Sequence, residues 1–247
     1  MPYISLNGLK LYYEISGEEN LKDILFISGL GGDHRTWDKV VNYLEYPYRT
    51  TTFDNRDACL SGRSDQPYTI KDMADDVAGL LSAIGISKTH VVGYSMGGAI
   101  AQELAISYPN LVDKLILIST YTSGDPRGDV IFGSLASVRG KVSAEEFVRL
   151  SLPWSLSVDE FRIPGLVESL IRDNASDEYR QEYSAYERQM KATISFESSG
   201  RLDKITAETL MLFGDADILT PMRFALELVE GIHSSKLIIL EKAGHAI

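Results

Sequence analysis

The sequence predicts an α/β domain in which a mostly parallel, twisted sheet carries helices on both faces and a helical cap is inserted between two strands. Three observations carry this reading. Short, continuously apolar runs alternate with helical stretches up to about residue 120; strand signals stop from about Thr122 to Gly200; strand, helix and strand then resume. The expected organisation is a core in two parts, residues 1–121 and 201–247, with a cap formed by residues 122–200.

The elements follow in order. "YISL" and "LKLYYEI" flank Asn7-Gly8, turn residues that suit a hairpin. "DILFIS" is apolar throughout, as a strand buried on both faces requires, and "TTTFD", "THVVGY" and "KLILIS" follow as further strands. Between them "TWDKVVNYL", "IKDMADDVAGLLSAIG" with its closing Gly85, and "MGGAIAQELAISYP" have helical patterning. In the cap, Tyr179, Tyr183, Tyr186 and Met190 recur at helical spacing, and Glu187 and Lys191 stand four apart as an ion pair. "TLMLFGDAD", "TPMRFALELVEG" and "KLIILEKAGH" restore strand, helix, strand. An insert at the carboxyl ends of the strands roofs the place where open parallel sheets bind ligands.

Composition narrows the partners. The chain has 247 residues, is 44% apolar and carries a formal charge of −11 spread along its length, so no basic patch exists to grip nucleic acid or an anionic membrane. Small neutral molecules are the partners that fit. The single cysteine, Cys59, excludes an internal disulfide and a thiolate zinc site, as a reducing compartment would have it. "MPYISLNGLKLYYE" lacks the basic start and apolar core of a signal peptide, and no window reaches the length of a membrane span; the expected location is the cytoplasm.

Gly93-Tyr94-Ser95-Met96-Gly97 matches G-x-S-x-G between an apolar strand and a helix, the sharp turn that exposes a nucleophilic serine. The alternative for such a stretch is a glycine-rich packing turn. A serine needs a base and a carboxylate to orient it. Downstream, His233 lies in the loop entering the last strand, whereas His245 follows that strand and so sits at its carboxyl end. Asp215 and Asp217 both end the preceding strand; Asp217 is deeper in the loop, Asp215 suits a turn after Gly214, and Asp125 is a remoter candidate. Thr220 is expected to cap the helix that Pro221 begins. For an oxyanion hole the backbone N–H of Met96 follows the serine, and "ISGLGGD" offers the N–H of Leu30; the same loop lacks the lysine of a phosphate-binding loop.

Together "SGLGGDHRTW", "FDNRDACLSGRSD", the "YTIKDMADDVAGLLSAIGI" helix, "VVGYSMGGAIAQELAISYPNLVDKLILIST", "LMLFGDAD" and "AGH" resemble the α/β-hydrolase superfamily with a helical cap, over nearly the whole chain. The resemblance implies the α/β-hydrolase fold. The family's acid, three residues after the glycine of its segment, carries over onto Asp217, and its histidine after Ala-Gly onto His245. Three departures stand out. Ser28-Gly29 replaces the usual His-Gly, which makes the loop similar to that of 3-oxoadipate enol-lactonases. Asp57 and Ala58 stand where relatives have glycine, a variant similar to some esterases. The family continues for about twenty residues into a final helix after the histidine, whereas this sequence stops at Ile247; either it is a piece of a longer chain, or an apolar flank is exposed, which is expected to destabilise the protein or favour association, as in a homodimer.

The expected activity is acyl transfer to water from an ester or lactone, with Ser95 as nucleophile, His245 as base, Asp217 as its orienting acid and no metal or cofactor. Ser95 separates the chain from dehalogenases, which place Asp at the elbow, and "SGLGG" from proline iminopeptidases; dioxygenase-like and haloperoxidase-like members share the triad. The alternatives are an enol-lactonase-type activity, or a low-turnover ligand receptor or stress regulator on the same fold. Trp154, Phe161 and Tyr183 are aromatic candidates for the pocket, and Arg127, Arg139, Arg149 and Arg162 are cations that an acidic substrate would want.

Overall fold

The computed structural model describes residues 2–6, 8–44 and 47–246. Its strands are β1 (Tyr3–Leu6), β2 (Leu9–Ser16), β3 (Lys22–Ile27), β4 (Tyr48–Phe53), β5 (Thr89–Tyr94), β6 (Val112–Ile118), β7 (Glu208–Gly214) and β8 (Ser235–Leu240). They form one sheet in the order β1-β2-β4-β3-β5-β6-β7-β8, antiparallel from β1 to β4 and parallel from there on. This is the α/β architecture that the alternation of apolar runs predicts. Leu6 pairs with Leu9 across the first hairpin, where Gly8 has φ +83°; Asn7, the other expected turn residue, lies outside the described residues.

Strand β3 has both faces covered, which explains its unbroken apolar run. Leu25 and Ile27 belong to the main core that the sheet shares with helices α2 (Ile70–Ala83), α3 (Met96–Ser107) and α9 (Met222–Gly231), while Ile24 and Phe26 pack with Trp37 on the other side. Thr69 and Asp72 start α2 with a reciprocal capping box, and Met73, Val77, Leu80 and Leu81 give it a buried face. The stretch "TWDKVVNYL" is less helical than its pattern suggests. A 3-10 turn (His34–Trp37) leads into only five residues of α1 (Asp38–Asn42), because Trp37 is anchored inward by donating Nε1–H to Ser28 Oγ at 2.9 Å. On this face the register aligns Tyr94, Ile118, Leu212 and Ile238 across four strands, and Ile238 at the β8 edge is exposed.

Helices α4 (Pro126–Arg139), α5 (Ala144–Ser155), α6 (Val158–Phe161), α7 (Leu166–Ala175) and α8 (Tyr183–Ile194) lie between β6 and β7. They have a small core of their own, in which Ile131 and Leu135 of α4 meet Phe147 of α5 and Tyr186 and Met190 of α8. The two ends of the segment are joined by a feature without any strand signal in the sequence. Ser123 and Glu197 form an antiparallel bridge, with Gly124 N donating to Phe196 O at 3.0 Å and Ser198 N to Thr122 O at 2.7 Å.

Asp57 explains one departure from the family pattern. It has φ +69°, the conformation for which glycine is favoured, yet its carboxylate is fully buried and accepts two hydrogen bonds of 2.8 Å from Arg188 of α8. Tyr68 Oη and Ser64 N donate to the same carboxylate at 2.8 and 2.9 Å. The strained turn therefore carries the clamp between core and cap. Arg188→Met leaves a buried carboxylate without its cation and is expected to destabilise the protein by about 3 kcal/mol, measured by urea unfolding. An unchanged midpoint would show that the pair holds nothing.

Candidate active site

The turn between β5 and α3 places Ser95 at φ +54° and ψ −119°, a conformation that a non-glycine residue adopts only where its surroundings enforce it. The enforcement is steric. A Cβ on Gly93 would overlap the Gly97 carbonyl, and one on Gly97 would overlap the Ile27 carbonyl, so helix α3 can leave the strand at once only with glycine at both places.

Three loops from carboxyl ends of strands converge on this serine. His245, after β8, places Nε2 2.9 Å from Ser95 Oγ and Nδ1 2.9 Å from Asp217 Oδ2, and Asp217 follows β7. The histidine and aspartate are each 4% exposed, so water competes little for these bonds. Tyr94 packs against the imidazole with ring centroids 5.3 Å apart. His233 is exposed in the loop that enters β8, at the other edge of the sheet. Asp215 accepts from Lys242 N at 2.6 Å and shapes the histidine loop, while Asp125 caps α4 and pairs with Arg223.

Thr220 does not cap α9, whose N-cap is Pro221. Its hydroxyl instead donates to Asp217 Oδ2 at 2.5 Å, and the Leu219 and Thr220 amides donate to Oδ1 at 2.8 Å each. Burial penalises the Asp217 charge, but His245 and Thr220 outweigh it, and the carboxyl is held below its ordinary value of 3.8. A carboxyl that is more acidic folded than unfolded stabilises the fold at pH above its unfolded value, and that contribution disappears as pH falls through the lower, folded value. Asp217→Asn removes it. The stability gap between wild type and this variant, from urea unfolding at several pH values, is expected to be widest near neutrality and to narrow below about pH 4; a gap independent of pH would contradict the assignment.

The loop after β3 lies against the serine: a Cβ on Gly29 would fall 3.1 Å from Ser95 Cβ. Ser28 holds this loop. It donates from Oγ to Asp33 O at 2.7 Å, accepts from Trp37, and its carbonyl accepts from Asn55 Nδ2 at 3.1 Å. The amides of Leu30 and Met96 donate to no described residue, and Met96 begins α3, whose first N–H groups have no partner within the helix. Beneath the loop Asp54 accepts from His34 N and pairs with its Nδ1 at 2.7 Å. Cys59 beside them is not a nucleophile, because burial and the Asp54 and Asp33 charges push its thiol up to about 12.

The helical segment roofs a cavity of about 370 Å³ that reaches Ser95 and His245. Phe132, Phe147 and Tyr186 are among its rings; of the aromatic candidates from the sequence Trp154 lines it, whereas Phe161 and Tyr183 are exposed on the cap surface. Among the four candidate cations only Arg139 lines it. Arg149 and Arg162 pair with Glu145 and Asp159, and Arg127 donates to the Ile218 carbonyl at 2.6 Å. Arg180, which no sequence pattern marks, joins Arg139 there. The segment also grips the histidine loop from above. His245 N donates to Ser155 O at 2.7 Å, Gly244 N to Glu160 Oε2 at 3.0 Å, and Ser157 Oγ to Lys242 O at 2.6 Å.

A strained serine on a strand-to-helix turn, a buried imidazole and carboxylate in line, and unpaired amides beside them are the parts of a hydrolase site. The chain belongs to the alpha/beta hydrolase fold family, which matches residues 23–247. It is 29% identical over 245 residues to "Putative carbamate hydrolase RutD" of Agrobacterium fabrum, covering 96% of this chain and 92% of that protein. Among solved structures it superposes with a TM-score of 0.89 on an alpha/beta hydrolase enzyme from a Medee basin deep-sea metagenome library, at 21% identity, covering 99% of this chain and 90% of that one. The enol-lactonase from Burkholderia xenovorans LB400 superposes at 0.88 with 24% identity, covering 99% and 93%. At such identities the two superpositions attest the fold. Among the described residues no helix is long and apolar enough to cross a membrane.

Proposed function

We propose that the protein is a serine hydrolase that cleaves a carboxylic ester or lactone through an acyl-enzyme. The observation that carries the reading is the hydrogen-bonded line from Ser95 Oγ through the His245 ring to Asp217, at 2.9 Å on either side of the ring. His245 Nε2 takes the hydroxyl proton as Ser95 Oγ attacks the carbonyl carbon. Asp217, an acceptor on Nδ1, keeps the Nδ1–H tautomer and stabilises the imidazolium. The Leu30 and Met96 amides receive the oxyanion. His245 then protonates the leaving alcohol, and the acyl-enzyme is hydrolysed by a water that the same nitrogen deprotonates. In a lactone the alcohol stays tethered to the acyl group, and the product is a hydroxy acid.

Cleavage of a carbamate is a second reading, favoured by the RutD relatives. It uses the same attack but yields a carbamoyl-enzyme, whose nitrogen lone pair delocalises into the carbonyl and slows its hydrolysis. A fluorophosphonate should label one serine per chain, mapped by mass spectrometry to Ser95. p-Nitrophenyl acetate should then turn over at or above about 1 per second, near typical enzyme rates. Turnover of a p-nitrophenyl carbamate at a rate close to that on the acetate, with no stalled carbamoyl-enzyme after the burst, selects the carbamate reading. Labelling elsewhere sinks both, and slow turnover of every ester, lactone and carbamate favours a receptor.

A further inference from the structure

The chain is acidic overall, with 35 Asp and Glu against 24 Lys and Arg, so its arginines have carboxylates to choose from. Arg56, Arg188, Arg201 and Arg223 each take one, and Arg35 takes two. Arg139 and Arg180 do not: among the described residues neither has a carboxylate oxygen within 4.0 Å, although both line the cavity that reaches Ser95 and His245. The acids on the same wall, Asp33 and Asp177, are both engaged by Arg35.

Their immediate surroundings are organised around rings and leave N–H groups unused. The Arg139 guanidinium lies 4.6 Å from the Phe147 ring centroid and 4.3 Å from that of Tyr186, and Arg180 lies 5.5 Å from Phe147. Stacking satisfies the faces of a guanidinium, while its in-plane donors still need acceptors. Arg139 Nη2 donates to Gln181 O at 3.0 Å, but Arg139 Nε and Arg180 Nη2 are buried with no partner. Burial, and then the Arg180 charge, lower the Arg139 guanidinium to about 10, which leaves it charged at neutral pH. Gln181 Oε1, also unpartnered, is an acceptor and takes no part in holding an anion. Stacking alone accounts for one arginine on these rings; it does not account for two adjacent cations whose free donors are sheltered from bulk water.

We propose that Arg139 and Arg180 form an anion-binding subsite beneath the cap, and that the molecule cleaved at Ser95 carries a carboxylate that seats there. The proposal rests on the hydrolase reading above and narrows it to esters bearing a second, anionic group. A planar fork matches a carboxylate through two parallel N–H···O bonds, and shelter from water strengthens them.

The test compares monoethyl glutarate with ethyl valerate, and 4-acetoxybutyrate with butyl acetate, each pair differing by a carboxylate in place of a methyl on the acyl or the alcohol side. Wild type is expected to favour the anionic member of one pair by about ten- to hundredfold in kcat/KM. Arg180→Gln should cut that ratio at least tenfold through KM. Because Arg139 also packs on two rings, Arg139→Lys, which keeps the charge and loses the fork, replaces its deletion and should lower the ratio less. Glutarate binding by calorimetry to Ser95→Ala gives a readout independent of turnover, and adding Arg180→Gln to that variant should abolish it. Ser95-dependent hydrolysis with no anionic preference in either pair and no glutarate binding overturns the subsite and leaves the hydrolase standing. Arg180-dependent glutarate binding without hydrolysis of any ester does the reverse.

Discussion

Ser95→Ala is expected to lower kcat on any substrate by about a millionfold, leaving roughly the thousandfold acceleration over water that binding and oxyanion stabilisation supply in triad hydrolases. The fold should survive, because the turn is enforced by its neighbours rather than by the hydroxyl: Gly98 and Ala99 still find the Ser95 carbonyl at 2.9 and 3.2 Å, and the backbone at φ +54° is as strained for alanine as for serine. Ser95→Gly separates the two roles. It should lose the same activity yet gain about 1 kcal/mol in stability as the strain is relieved. A stopped assay with a p-nitrophenyl ester and a thermal melt decide both, and an active Ser95→Ala would remove the serine from the mechanism.

Gly97→Ala should be the most damaging single methyl in the core. The added carbon would overlap the Ile27 carbonyl oxygen and lie 2.6 Å from the carbonyl carbon and 2.8 Å from Ser28 O, all backbone, so no side chain can rotate away. Relief requires α3 to move off β3, which costs about 3 kcal/mol and lowers Tm by roughly 10 °C. The same movement separates Ser95 from the loop that carries Leu30, so activity should fall together with stability. Gly133→Ala is the control: Gly133 lies at an exposed position of helix α4 with nothing within 4 Å of the added carbon, and a gain of about 0.5 kcal/mol is expected. Equal melts for the two variants would mean that the close approach at Gly97 is not tight.

The fold was legible because its signals are local. β3 shows two buried faces as an unbroken apolar run, and α2 announces its start through Thr69 and Asp72. The positions of Ser95, Asp217 and His245 were legible for a similar reason: each lies at the end of a strand pattern, and strands of one parallel sheet bring such ends to one edge. What the sequence hid depends on distant pairing. Thr220 reads as a helix cap until Asp217 is seen beside it. Asp57 reads as an oddity in a glycine position until Arg188, 131 residues away, arrives from the cap. Arg180 sits in a stretch whose helical spacing of tyrosines suggests a longer helix than α8, and nothing in that pattern aims its side chain at the cavity. The cap core was equally hidden, since Phe147 and Tyr186 look like any helical aromatic until α4, α5 and α8 meet.

The grip of the Ser155–Glu160 turn on the histidine loop bears on how such proteins can be recombined. Cap segments look like interchangeable parts, inserted between two strands and joined at their base by the Ser123–Glu197 bridge. Here the inserted part also supplies the acceptors for the His245 and Gly244 amides. A chimera that exchanges the helices for those of a relative, or a minimised core that omits them, would keep the serine and the aspartate and lose the positioning of the base. In this chain the cap and the loop that carries His245 have to be exchanged together.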